Sequence, residues 1–402
     1  MDYPLAHARM EVVPGGLPAV RVNLDNLRHN WRLLAAKAKG GQPMPVLKAD
    51  AYGHGIVPVA RALVEQGCRS FCVGSVADGV ALRRALAGPV ASGVRILPLL
   101  GLMHAEDAQV AVTHGILPLV CSAQQAAWVS GANSRYKSLP VAVKVETGMS
   151  RLGFRPGDIA DMLAAFDAHP NLKPTLLVSH LAAADDPTQD ISVGRQLERF
   201  LSAYVALRDY WPNIELSIAN SAGFLAQDTI LADVPTHTAR PGYALYGGNP
   251  FAGTEREYLG EGLRPVMAIS APILGVYSLA KGEGVGYGLT YTAPEEKRVA
   301  IVGAGYADGY SRNLSNKGHA SIRGCLCPVL GRVCMQMFIA DVTHVPDVAV
   351  GDDAYLLGGD EPGCVSMEAL ARDWGSIPYE IFCIMGKNRH FYHTTESQVQ
   401  PL

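Results

Sequence analysis

Nowhere in its 402 residues does the sequence stay apolar for 18 positions, so no segment reads as a bilayer-crossing helix. It has no excess of either charge: 34 Lys and Arg stand against 37 Asp and Glu, a net charge of −3. That excludes the basic field with which proteins capture nucleic acid or an anionic membrane. The eight cysteines are scattered and include no CxxC pair; two of them form only a Cys-Leu-Cys at 325–327. No zinc or dithiol motif is therefore expected, no metal, and reduced thiols are. The opening stretch MDYPLAHARMEVVPGG has no basic segment leading into an apolar one, which reads as no secretory signal and a cytoplasmic location. Repeats and low-complexity tracts are also missing. What remains is a chain that is 49% hydrophobic, ample for a large core and two domains.

From about residue 20 to 240, short apolar runs alternate with amphipathic stretches. Strands are expected at 44–49, 70–75, 95–101, 116–121, 141–146, 175–180, 215–220 and, weakest by pattern, 237–242. Asn23 is placed to cap a helix whose apolar face is Leu24, Leu27, Trp31 and Leu34, a spacing that fits the 3.6-residue period. Ser75 and Asp78 form a cap-like pair, and Ala-Gly-Pro at 87–89 closes that helix. Eight strands alternating with helices imply a parallel sheet that can close into a (β/α)8 barrel of the TIM type; a doubly wound open sheet is the alternative. Lys48, His180, Asn220 and Arg240 all fall at the C-terminal ends of expected strands. In a barrel those ends share one face, which favours closure. Lys144 lies within its run and is expected to point inward. After about residue 260 the texture becomes β-branched and rich in glycine, the mark of a separate all-β domain. The expected division is α/β, with a barrel over 14–261 and a β domain over 262–402 that residues 1–13 could join.

Lys48 ends the run PVLK and precedes the turn ADAYGHG. The bland reading is a solvated lysine; the sharper one is a Schiff-base amine. An amine of that kind binds pyridoxal phosphate, whose phosphate, ring and phenolic oxygen each need a partner. Asn220 and Ser221 in ANSAG, Gly242 and the Tyr243 N–H in RPGYALYGG, and the Tyr52 hydroxyl are candidates for the phosphate. His180 could stack on the ring. Arg240 could donate to the ring nitrogen and keep it unprotonated, weakening the electron sink. Arg151 could reach the phenolic oxygen and a substrate carboxylate.

The sequence resembles the alanine racemases, pyridoxal-phosphate enzymes of fold type III. VLKADAYGHG is similar to that family's cofactor-lysine signature. VKVETGMSRLGF, SHLAAAD, ANSAG, ARPGYALYG, VGYGLTYTA, GYADGY, GRVCMQ and IPYEI follow in the family's order, from about residue 20 to 385. The resemblance implies an N-terminal (β/α)8 barrel, a C-terminal β domain and a homodimer with shared active sites. It implies that Lys48 carries the cofactor and serves as the D-side base, with Tyr287 of the second copy as the opposing base. It assigns Tyr52, Ser221, Gly242, Tyr243 and Tyr379 to the phosphate, and Arg151 and Met335 to the substrate. It marks Lys144 for carbamylation, and Tyr306, Arg312, Arg332, Ile377 and Asp185 for the entry channel. Gln336 departs from the pattern, which has Asp after Cys-Met, so substrate preference and channel electrostatics are open.

The implied activity is interconversion of L- and D-alanine by two bases, supplying D-alanine for peptidoglycan. The alternatives are a broader amino-acid racemase, for example one acting on serine, and a non-catalytic pyridoxal-phosphate carrier. Carriers resemble a lone barrel, which the β domain disfavours. A fold type III decarboxylase is disfavoured by Arg240, which stands where those enzymes resemble a pattern with a carboxylate.

Overall fold

The computed structural model describes residues 18–86, 93–132, 138–359, 363–394 and 397–399. The expected helix closure at 87–89 and the joining of residues 1–13 to the β domain lie outside them. The described residues divide into two compact units: those between 21 and 267 together with 377–394 and 397–399, and those between 268 and 376 together with 18–20.

The first unit is a closed parallel barrel. Ser70–Val73 pairs with Arg95–Pro98, and Leu119–Val120, Leu139–Lys144, Leu172–Val178 and Glu215–Ser217 run side by side in parallel. Bridges at Val46↔Cys72 and Leu216↔His237 extend both groups. The Leu117 N–H donates to the Ile96 carbonyl at 2.9 Å and joins them; the Met44 and Val46 N–H groups donate to Ala239 and Pro241 at 2.8 and 2.9 Å and close the ring. Phe71, Val73, Ile96, Leu97, Leu119, Val120, Val141, Val143, Leu176 and Leu177 are fully buried. Burial on both faces is why these strands read as unbroken apolar runs rather than alternating ones.

Helix Leu24–Lys37 starts as its sequence dictates: Asn23 Oδ1 accepts from the N–H groups of Asp25 and Asn26 at 3.0 and 2.9 Å. Leu24, Leu27, Trp31 and Leu34 are buried, and so is Asn30, whose amide donates to the Leu245 and Arg264 carbonyls. Ser75 and Asp78 form a reciprocal capping box on helix Val76–Ala85.

Two expected strands shrink to single bridges. The run 44–49 is extended only around Val46, because the chain then leaves extended geometry: Ala49, Asp50, Ala51 and Tyr52 all have φ between 52° and 55°. They form one turn of left-handed helix, a conformation that costs about 1–2 kcal/mol per non-glycine residue. The run 237–242 keeps only the bridge at His237, since beyond Arg240 the chain bends through Gly242 into the short helical turn Tyr243–Tyr246.

The second unit is a closed antiparallel barrel of six strands. Met267–Leu279 pairs at one end with Asp353–Leu357 and at the other with Lys297–Val302. The remaining ladder runs through Phe338–Asp341, Cys325–Leu330 and His319–Ile322 back to Asp353–Leu357. Because one 13-residue strand serves two neighbours, no edge of these six is left open. No helix among the described residues is long and apolar enough to cross a membrane.

Candidate active site

The barrel brings Lys48, Lys144, Arg151 and Arg240 to one mouth. Lys48 opens the left-handed turn, with Nζ 5.7 Å from the centre of the Tyr52 ring. The residue keeps solvent access. Desolvation by the surrounding protein, with Arg151 and Arg240 adding repulsion, lowers its ammonium pKa below the ordinary lysine value. Lys144 closes its strand and is 8% exposed. Burial, then Arg240, Arg151 and Lys48, brings its pKa down to about 8. Lys144, Arg151, Ser179 and His180 line one small pocket.

Arg240 is almost wholly buried. Its guanidinium donates to the Ser217 carbonyl at 2.7 Å, to the Ser217 hydroxyl and to the Ser179 carbonyl. Burial lowers its pKa to about 10, which still leaves it a cation at neutral pH. Arg240 also faces His180 Nδ1 at 3.4 Å. His180 is held neutral: desolvation first, then Arg240 and Arg151, push its pKa well below the usual imidazole range. Nδ1 is then the acceptor and Nε2 carries the hydrogen.

The second pole of the site is built around Gly242. A Cβ there would lie 2.5 Å from the Tyr52 hydroxyl, so only glycine admits that phenol. The Ser221 hydroxyl accepts from the N–H groups of Gly242 and Ala244, both at 3.1 Å. Tyr52, Tyr243 and Tyr379 form an aromatic cluster, with ring centres 6.1 Å (Tyr52–Tyr379) and 4.6 Å (Tyr243–Tyr379) apart. Burial raises the phenol pKa of Tyr52 and of Tyr379. Asn220 is committed elsewhere: its amide accepts from the Gly223 N–H and donates to the Leu181 carbonyl. It therefore shapes the helix start at Ser221 through its side chain.

Tyr287 and Met335 lie in the other unit. Tyr287 follows Gly286 and precedes Gly288, whose φ values are 67° and 73°, and it is 71% exposed. Met335 is 57% exposed on a loop pinned by bonds from the Tyr306 and Ala307 N–H groups to the Cys334 and Met335 carbonyls. Gln336 is exposed on the same loop.

Two polar residues of the barrel site were not legible as such. Glu146 Oε1 accepts from the N–H groups of Gly148, Met149 and Ser150, fixing the loop that presents Arg151. Its carboxylate two positions before a glycine was the available signal. Buried Gln196 donates to the His180 carbonyl and accepts from the Ala182 N–H. Nothing in its helix distinguishes it from a surface glutamine.

The family model for the alanine racemase N-terminal domain matches residues 22–250, and that for the C-terminal domain matches residues 266–392. The chain belongs to the alanine racemase family. An alanine racemase of Nitratidesulfovibrio vulgaris strain Miyazaki F is 46% identical over 371 residues, 92% of this chain and 96% of that protein. One from Lawsonia intracellularis is 41% identical over 373 residues, covering 92% and 95%. Among solved structures of the family, alanine racemase from Bartonella henselae, with covalently bound pyridoxal phosphate, superposes with a TM-score of 0.82 at 28% identity. It covers 94% of this chain and 100% of its own. Alanine racemase from Streptomyces coelicolor gives 0.83 at 32% identity, covering 95% and 98%.

Proposed function

We propose that this protein is a pyridoxal-phosphate-dependent alanine racemase, an isomerase that interconverts L- and D-alanine. The observation that carries the reading is the cation cluster at the barrel mouth. Lys48, Lys144, Arg151 and Arg240 gather around neutral His180, and none of the four forms an ion pair with a carboxylate among the described residues. Such a cluster is repulsive by itself and fits an anionic occupant. The tyrosine-lined cradle at Ser221, Gly242 and Tyr243, with Tyr52 and Tyr379, suits its phosphate, and Arg240 suits a ring nitrogen that stays unprotonated.

Bound there, pyridoxal phosphate supplies an aldehyde for covalent capture of an amine and a conjugated ring that acidifies the alanine Cα–H. Lys48 attaches the coenzyme and exchanges the Cα proton on the D side. Tyr287, contributed by a second copy in a homodimer, exchanges it on the L side. Arg151 and Met335 orient the substrate carboxylate. The reading extends to a cytoplasmic enzyme that supplies D-alanine for peptidoglycan. Purified protein loaded with pyridoxal phosphate is expected to abolish the circular dichroism of L-alanine and of D-alanine alike, each to the racemic endpoint. Turnover confined to another amino acid such as serine would overturn the assignment, and Gln336 is the position to question first.

Lys144 has a distinct part. Its pKa of about 8 lies below the ordinary 10.5, so its neutral amine becomes the major form as pH rises through 8, and the destabilising cost of burying the ammonium, full below about 8, is relieved as pH rises from 8 towards 10.5. A neutral amine adds carbon dioxide with loss of a proton, giving a carbamate whose negative charge would sit among Arg151, Arg240 and Lys48. With 13C-labelled bicarbonate at pH 8, a carbamate NMR resonance is expected that Lys144→Ala removes. A resonance unchanged in that variant would exclude this lysine.

A further inference from the structure

The left-handed turn that follows Lys48 ends in three successive carbonyls, those of Ala51, Tyr52 and Gly53. Helix ends leave such carbonyls short of intrahelical partners; the Ala51 oxygen also accepts from the His54 backbone N–H at 3.1 Å. Here two histidines meet all three. His54 Nδ1 lies 3.0 Å from the Ala51 oxygen and 3.0 Å from the Tyr52 oxygen. His390, from the strand Arg389–Thr394, lies with Nε2 2.7 Å from the Gly53 oxygen. A carbonyl only accepts, so each of these ring nitrogens must carry the hydrogen.

The packing argues that His54 is more than filler. It is fully buried, stacked on Tyr246 with ring centres 4.3 Å apart and flanked by the edge of Phe382. Among the described residues its Nε2 has no hydrogen-bond partner. A bare buried acceptor costs stability, and Phe or Leu would fill that space without the cost. Burial also drives the His54 pKa down to about 3, so the ring is neutral at any working pH and acts as a donor through Nδ1 alone.

We propose that His54 and His390 are a pair of positioning residues that lock the left-handed turn by capping its three terminal carbonyls, and so hold Tyr52 against Gly242 and Lys48 at the barrel mouth. Their effect on the coenzyme rests on the functional reading above; the capping itself does not. Neither imidazole touches substrate. Each instead spends one specific N–H on backbone that is held in a costly conformation.

The two histidines donate through different nitrogens, which gives a crossed test. Asparagine places its N–H₂ where Nδ1 stands, and glutamine places it where Nε2 stands. His54→Asn and His390→Gln should therefore retain pyridoxal phosphate with nearly wild-type affinity. His54→Gln and His390→Asn should release it about tenfold more readily, the effect of one or two lost hydrogen bonds. Coenzyme release on dilution is followed by fluorescence. In parallel, hydrogen–deuterium exchange of the peptide spanning 49–55 in the coenzyme-free protein should quicken in His54→Gln and His390→Asn only. The same ranking of Asn and Gln at both positions, or losses that track side-chain volume, would overturn the proposal and leave a packing role. If wild-type protein took up no pyridoxal phosphate, the functional reading would fall, and the exchange pattern would still decide for or against the caps.

Discussion

Lys48→Ala is expected to lose alanine interconversion by about 10³ or more, the largest single loss in the molecule. On the proposed reading the substitution removes both the amine that attaches the coenzyme and a proton carrier, and among the described residues no second lysine is placed to replace it. Lys144 shares the mouth but sits 8% exposed on the barrel wall, at the end of its strand. The depressed pKa of Lys48 raises the fraction of neutral amine at working pH, the form needed for attachment and for proton abstraction. Borohydride treatment of the loaded wild-type protein should fix the coenzyme on the peptide containing Lys48, and Lys48→Ala should retain none. Because the residue keeps solvent access and makes no ion pair among the described residues, the variant should fold, and far-ultraviolet dichroism checks that it does. Label on Lys144, or on any other lysine, would sink the assignment.

Tyr287→Phe is expected to divide two reactions that the wild type performs together. Racemisation needs a proton carrier on each face of Cα, whereas exchange of the D-alanine α-hydrogen with solvent needs only the D-side carrier. Removing one hydroxyl should therefore reduce racemisation by about 10²–10⁴ in both directions while α-deuterium exchange into D-alanine persists. The equilibrium constant of a racemase ties the two directions together, so exchange is the informative readout. Tyr287 is 71% exposed in the single chain and held on a turn between two glycines of positive φ. A phenylalanine there disturbs no packing within the unit, so a loss can be attributed to the hydroxyl. Equal loss of exchange and racemisation would contradict a division of labour between two bases.

Much of the barrel could be read along the chain because local rules and tertiary structure agree there. Asn23 caps, and Leu24, Leu27, Trp31 and Leu34 bury, because a 3.6-residue period and an Asx cap need only neighbouring residues. The six central strands were legible because burial on both faces leaves apolar runs. The first strand was misjudged in length because the left-handed turn begins at Ala49, and Ala-Asp-Ala-Tyr carries none of the glycine or asparagine that ordinarily announces positive φ. In the site, Lys48, Arg240 and Gly242 stood out by type and position. The placement of Asn220 as a cap, the grip of Gln196 on the His180 loop and the clasp of Glu146 on the Arg151 loop depend on which way a side chain turns. His390 meets Gly53 across 337 positions, a separation over which no periodicity carries information.

That last contact has a consequence for biosynthesis. A Cβ on Gly53 would lie 2.3 Å from the Phe382 carbonyl, and one on Gly386 would lie 2.4 Å from the Gly53 carbonyl, so the segment near the C-terminus presses directly on the cofactor turn. Lys48 leaves the ribosome well before the wall behind it, since His390 follows Gly53 by 337 positions. The turn after Lys48 is thus a late-maturing part of the molecule: a nascent chain can assemble most of its barrel and still wait for the segment around residues 382–390 before this turn is backed.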